Sequence, residues 1–398
     1  MEEQKMTAGD RTVYPNETMP ERVRRVKPFL AMEILEKAKQ MESKGVSIIH
    51  LEVGEPDGDT PYAIKEAVIE AIRDNDTAYT HSLGKPALRR EISLYYKNTY
   101  GVSIDPSQVV VTSGTSPAML LAFSALLERG DKMIMPDPYY ACYPNFVNFI
   151  GAEPLPVRVC EEDGFKLLAD DVRKKLDPRV KGVLINSPAN PTGTVLDENE
   201  LRELADLGLY IVSDEVYHGL NYKGRDHSIL EFTDRAVVLN GFSKRNIMTG
   251  WRLGYLIAPS FMVREMQKLQ QNMFICACSF VQDAGIAALR ESPEVLAERF
   301  SDYDQRRLYL YEALQQIGIA PAKLPDGAFY MLANVKKYTD DSLSLAQRIL
   351  EETGVAVTPG IDFGPGAEGY IRISYACSME NLKEGIGRLK KFFAALDK

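Results

Sequence analysis

From about residue 105 the chain alternates short runs of aliphatic and β-branched residues with longer stretches of helical spacing. The runs read "QVVVT" (108–112), "KMIM" (132–135), "VKGVLIN" (180–186), "LYIVS" (209–213), "AVVLN" (236–240) and "GYLIA" (254–258). Continuous apolar runs separated by crossover-length segments predict a mainly parallel sheet covered on both faces. "GYLIA" follows "AVVLN" after only thirteen residues, a length that suits an antiparallel return. Helical patterns are equally plain. "AMLLAFSALL" is apolar nearly all round and predicts a buried helix, with Ser116 as N-cap, Pro117 at the first helical position and Gly130 just past its end. "KPALRREISLYYKN" is amphipathic, with Leu88, Ile92 and Tyr95 or Tyr96 on one face. The segment from Ser378 carries Leu382, Ile386, Leu389, Phe393 and Leu396 at helical spacing.

Composition narrows the class. The chain has 398 residues, 45% apolar and 26% charged, which suits a large globular core and two domains. A net charge of −9 argues against nucleic-acid or anionic-membrane partners, because either needs a basic face. No apolar run reaches the ~18 residues of a membrane span. The N-terminal stretch has no apolar core of a signal peptide, and five cysteines do not read as a disulfide framework, so a cytoplasmic protein with reduced thiols is expected.

Two motif matches fail on context. "GPGAEG" (364–369) has the spacing of a dinucleotide-binding loop, but "YIRISYA" follows where a helix is needed, so it reads as a loop. "SLGKP" resembles the end of a phosphate-binding loop, yet Tyr79 stands at the first glycine position and Pro86 where a Ser or Thr belongs. Cys276 and Cys278 lack a second pair or nearby histidines, so no metal site is expected.

The strand ends carry the chemistry. After "QVVVT" comes "SGTSP", where Gly114, Thr115 and Ser116 can offer backbone N–H groups to an anion at a helix N-terminus. After "VLIN" comes "SPANPTG", in which Asn190 has a side chain to spare beside turn-forming prolines. After "LYIVS" comes "DEVYHG", with Asp214 and Tyr217 on the edge where open α/β sheets bind ligands. After "AVVLNGF" come Ser243, Lys244 and then Arg252. Each alone has an ordinary structural explanation. Together, an anion cradle, an amide, a carboxylate and a lysine are what pyridoxal 5'-phosphate requires: an amine for its aldehyde, an acid for its ring nitrogen and a site for its phosphate.

With these motifs in order, the chain resembles the fold-type I pyridoxal-phosphate enzymes, and within them the class I aminotransferases of the bacterial aspartate-aminotransferase subgroup. The resemblance runs from about Arg22 to the C-terminus through "LEVGEPDGDTP", "AYTHSLGKPALR", "PDPYYACYP", "NSPANPTG", "VSDEVY", "GFSK", "MTGWRLGY", "GAFY" and "YIRISYA". It implies an α/β architecture: a large domain, 54–293, with a mainly parallel seven-stranded sheet, and a smaller α+β domain combining 1–53 with 294–398. It also implies roles. Lys244 would bind the cofactor aldehyde and move the substrate proton, Asp214 would pair with the ring nitrogen, and Asn190 and Tyr217 would bond the ring oxygen. Tyr140 would stack on the ring. Gly114, Thr115, Ser116, Ser243 and Arg252 would hold the phosphate, joined by Tyr79 from a second subunit of an obligate homodimer. Arg372, with Asn190 and the backbone at Gly54, would clamp the substrate carboxylate.

The sequence departs from that family at three places. Gly241 stands where other members have a phosphate-binding serine, Tyr140 where many have tryptophan, and "LADLGLYIVSDE" shortens the usual helix-to-strand connection. No arginine lies in "QQNMFICACSFVQ", one region from which relatives could reach a second substrate carboxylate. The expected activity is ping-pong transamination between an L-amino acid and a 2-oxo acid, aspartate-type or broad. A C–S β-lyase on the same scaffold is the alternative. A non-catalytic sensing domain of a transcription regulator is a more remote one.

Overall fold

A computed structural model describes residues 19–397. Seven strands form the central sheet: β1 (Val109–Thr112), β2 (Lys132–Asp137), β3 (Glu153–Arg158), β4 (Val180–Asn186), β5 (Tyr210–Asp214), β6 (Ala236–Gly241) and β7 (Gly254–Ile257). Their spatial order is β1-β7-β6-β5-β4-β2-β3. Only β7 runs against its neighbours; the other pairings are parallel. Each of the six apolar runs is a strand, and β7 is the antiparallel return. β3 was not anticipated. Its sequence, "EPLPVR", carries two prolines and alternates poorly, which a strand tolerates only at a sheet edge, where β3 lies.

Alternation along these strands builds two cores. Val109, Val111, Val183, Ile185, Ile211 and Val238 face one apolar cluster. Val110, Leu184, Val212, Val237 and Leu239 face the other. Both faces are thus covered, which is why the strands read as unbroken apolar runs. The buried helix spans Thr115–Leu126 on the second face. The amphipathic helix, Pro86–Tyr100, buries Leu88, Ile92, Tyr96 and Tyr100, so Tyr96 rather than Tyr95 takes the core position.

A third cluster is assembled from both chain ends. It packs helices Pro293–Ile317, Ser342–Thr353 and Met379–Leu396 with an antiparallel sheet of β8 (Tyr330–Asn334), β9 (Thr358–Pro359) and β10 (Tyr370–Ser374). Ser378 caps the last helix through Asn381 N–H (3.1 Å), and Leu382, Ile386, Leu389 and Phe393 are buried along it. A short parallel pair, Ile49–His50 with Val355–Ala356, joins the N-terminal segment to this region. Of the expected N-terminal segment, residues 1–18 lie outside the described residues.

Two local expectations need correction. The buried helix starts at Thr115 with Gly114 as its N-cap, so Ser116 lies in the first turn rather than at the cap. Gly114 has φ +86°, a backbone state that lets the chain leave β1 and turn directly into the helix. The helix ends at Leu126 because Leu127 is already extended, and Gly130 sits in the following turn instead of at the C-terminus. "GPGAEG" forms a short 3₁₀ turn, Pro365–Ala367, leading into β10. Lys85 of "SLGKP" is ion-paired with Asp76 and with Asp283 (2.5 Å).

Candidate active site

The carboxyl ends of the parallel strands open into a cavity of about 540 Å³. Gly54, Thr115, Ser116, Tyr140, Asn190, Asp214, Tyr217, Ser243, Lys244, Arg252 and Arg372 all line it. Two predicted site residues do not. Gly114 lies just behind Arg252, and a Cβ built on it would stand 2.7 Å from that guanidinium. Tyr79 is 87% exposed, away from the cavity of its own chain.

Asp214 ends β5 and is paired in register with Asn186, the last residue of β4. Its carboxylate accepts hydrogen bonds from the Tyr143 hydroxyl (2.7 Å) and from Val216 N–H (3.3 Å). Burial still dominates and pushes its pKa up to about 6, although those hydrogen bonds pull the other way. Asn186 donates to Asp214 O (2.8 Å) and accepts from Asn190 N–H (2.8 Å), so one amide ties two strand ends together.

Lys244 enters the cavity from the loop between β6 and β7. Its Nζ donates to Gly54 O at 2.6 Å. Lost hydration, then the charge of Arg372, lowers its pKa to about 8. Gly54 is required for this contact, since a Cβ there would lie 1.7 Å from the Tyr330 hydroxyl. The loop is pinned from outside: Thr60 Oγ1 donates to Ile247 O (2.6 Å) and accepts from Trp251 Nε1 (3.1 Å). Arg252 adopts φ +53°, a left-handed conformation rare for a long side chain, and its guanidinium donates to Thr249 O (3.1 Å). At Gly241 a Cβ would stand 3.1 Å from Leu253 O and 3.2 Å from Gly254 Cα, a tight fit against backbone.

Arg372 projects from the middle of β10 and is buried. It donates to Asn190 Oδ1 (2.9 Å), to Thr358 Oγ1 (3.2 Å) and to Glu52 O, and it lies between the rings of Tyr330 (4.4 Å) and Phe363 (4.8 Å). Its Nε is buried with no partner among the described residues. A guanidinium so held, with its Nε–H and one Nη1–H still unpaired, is prepared for an anion.

Sequence reasoning missed several lining residues. Tyr143 follows Tyr140 by three positions, so a short helix from Tyr143 to Phe149 was its only local signal. Asn186 closes an apolar run and reads as the last residue of a strand. Tyr330 stands in "GAFY", and its hydroxyl meets that of Tyr217 at 2.8 Å. Phe29, Ala31 and Met32 carried no motif at all.

A large sheet with an amine, an acid and an anion cradle at its strand ends, and an arginine delivered from a second sheet, defines a class. The sequence profile described as "Aminotransferase class I and II" matches residues 46–389, and the chain belongs to that family. It is an aminotransferase. Among its relatives, the aspartate aminotransferase of Pyrococcus horikoshii is 38% identical over 379 residues, covering 93% of this chain and 96% of the relative. The (5-formylfuran-3-yl)methyl phosphate transaminase of Methanocaldococcus jannaschii is 38% identical over 369 residues, covering 92% and 96%. The structure of Thermus thermophilus aspartate aminotransferase with maleate superimposes with a TM-score of 0.90 at 34% identity, covering 94% of this chain and all of that one (100%).

Proposed function

We propose that this aminotransferase uses pyridoxal 5'-phosphate to move an amino group between an L-amino acid and a 2-oxo acid. The observation that carries the reading is the convergence in one cavity of a buried carboxylate and a dehydrated amine, both far from their ordinary titration ranges. The donor set fits the cofactor. Lys244 would hold its aldehyde, Asp214 its ring nitrogen, Asn190 and Tyr217 its ring oxygen, and Tyr140 its face. Thr115, Ser116, Ser243 and Arg252 would hold the phosphate, with Gly114 keeping space for Arg252. When bound, the cofactor supplies an electron-accepting ring that makes the proton on the substrate α-carbon acidic.

The chain's own groups do the rest. Tyr143 fixes the Asp214 carboxylate, which would thereby offer the cofactor's ring nitrogen a single defined partner. Lys244 titrates near pH 8, which leaves an appreciable fraction of its Nζ neutral and able to take up a proton. Arg372 would orient the substrate carboxylate through a guanidinium packed against the Tyr330 and Phe363 rings, so that the α-carbon lies toward Lys244.

We propose also that the division falls at 54–293 and at the remainder, where the long helix from Pro293 begins. A homodimer with shared sites is proposed from Tyr79, whose exposure leaves it available to a partner. The five cysteines are all free, in keeping with a reducing cytoplasm, and no helix among the described residues is long and apolar enough to cross a membrane. Relatives include valine–pyruvate and aspartate aminotransferases, so a broad donor range is proposed.

The test is a half-reaction. Protein loaded with pyridoxal phosphate should lose its visible absorbance when an amino acid is added and regain it with a 2-oxo acid. Borohydride reduction should mark Lys244, and Lys244→Ala should lose about 10³-fold or more of turnover with its circular dichroism unchanged. Pyruvate and ammonia released from cystathionine, without pyridoxamine phosphate, would overturn transamination.

A further inference from the structure

Three cations line the cavity among the described residues, and each is already committed. Lys244 donates to Gly54 O, Arg252 donates to Thr249 O and is assigned above to the cofactor phosphate, and Arg372 keeps its unpaired N–H groups for the substrate α-carboxylate. The acids of the lining, Glu52, Glu55 and Asp214, match them in number. Glu55 is hydrogen-bonded to the Thr249 hydroxyl and faces the Lys244 side of the cavity. A second substrate carboxylate entering here would find no uncommitted cation among the described residues of the lining and would meet Glu55 instead. Removing a carboxylate from water without a partner is strongly unfavourable.

One part of the lining is apolar. Phe29, Ala31 and Met32 face the cavity from the start of helix Leu30–Glu42. The wall is held by Asp362, whose two carboxylate oxygens accept from Leu30 N–H (2.9 Å) and Ala31 N–H (3.1 Å). The Phe29 ring meets Tyr140 edge-on, with centroids 5.9 Å apart at 88°. An aromatic edge beside an aliphatic and a thioether side chain makes a subsite for neutral, apolar groups.

Resting on the aminotransferase reading above, we infer that Phe29, Ala31 and Met32 form the side-chain subsite and that the preferred amino donors are apolar or aromatic, with aspartate and glutamate disfavoured. The range of donors is then broad because the wall reads size and polarity without directional bonds.

Two carboxylates test this on the loaded enzyme: 3-phenylpropionate, shaped like a phenylalanine skeleton, and succinate, shaped like aspartate. Titration calorimetry should give 3-phenylpropionate at least about tenfold tighter binding. Met32→Arg, a substitution at a partly exposed position, should narrow or reverse that ratio by supplying the missing cation. In the half-reaction, leucine or phenylalanine should discharge the cofactor absorbance faster than aspartate at equal low concentration. Equal or tighter binding of succinate, or faster reaction of aspartate, would overturn the subsite and would mean that a second copy of the chain brings a cation. A preference for lysine or ornithine would overturn it too, by making Glu55 the selector. If no amino acid discharges the cofactor, the aminotransferase reading itself fails, a result distinct from either.

Discussion

Asp214 and Lys244 are held where neither readily keeps its charge, and that burden falls on the folded chain when no cofactor is bound. Asp214 titrates near 6 in the fold and near 3.8 when solvated. Between those values the folded state binds more protons than the unfolded one, so this group lowers stability as pH rises from about 4 to 6. Above pH 6 the full penalty, about 3 kcal/mol, is present. Lys244 acts at the other end: its folded value, about 8, lies below 10.5, so its penalty is full below pH 8 and disappears as pH rises toward 10.5. Asp214→Asn keeps the shape and can still accept from Tyr143. Cofactor-free Asp214→Asn should therefore be about 1–3 kcal/mol more stable than wild type at pH 7 and nearly equal to it at pH 4, by urea unfolding. Equal stability at both pH values would mean the carboxylate is not desolvated.

At the scale of elements, the site depends on a few ends and caps. The Thr115 helix begins early because Gly114 turns sharply, and its first-turn residues Thr115 and Ser116 therefore line the cavity. The helix carrying Phe29 to Met32 has no side-chain cap of its own; Asp362, far along the chain, serves in its place. Asp362→Ala should cost about 1 kcal/mol of stability and raise KM for apolar donors several-fold, while the visible absorbance of the loaded enzyme stays unchanged. Loss of that absorbance would show that the cap supports the cofactor site as well. The shortened connection before β5 gives a helix of only eight residues, Glu198–Ala205, closed by an Asp197–Glu200 capping box.

At the scale of the whole molecule, the proposed substrate clamp exists only because two sheets meet. Arg372 belongs to the antiparallel sheet, yet it bonds Asn190 beside β4 and Glu52 O near the N-terminal segment. Tyr79 is exposed, and Met273 and Ile275 are exposed beside the same stretch, where Gln282 bonds Thr80 (3.0 Å) and Gln271 bonds Ser82 (3.3 Å). Light scattering should give twice the 44.6 kDa of one chain. Tyr79→Ala should weaken cofactor binding by about tenfold, a loss of one charge-side hydrogen bond, without unfolding the chain. A fully active monomer would remove the shared-site reading.

The sequence by itself determined the strands, because sheet positions buried on both faces admit only apolar residues and leave continuous runs. It also exposed the residues at the strand ends, since a parallel sheet puts the ends of successive strands on one edge whatever the helices between them do. It was silent on β3, whose edge position relaxes the pattern, and on Tyr143, Asn186, Tyr330 and the Phe29 wall. Those residues have ordinary local neighbours, and what sets them apart is a contact across tens or hundreds of positions. Only the tertiary structure decided these, because hydration, charge compensation and cavity shape depend on which distant groups share a space, and no local spacing records that.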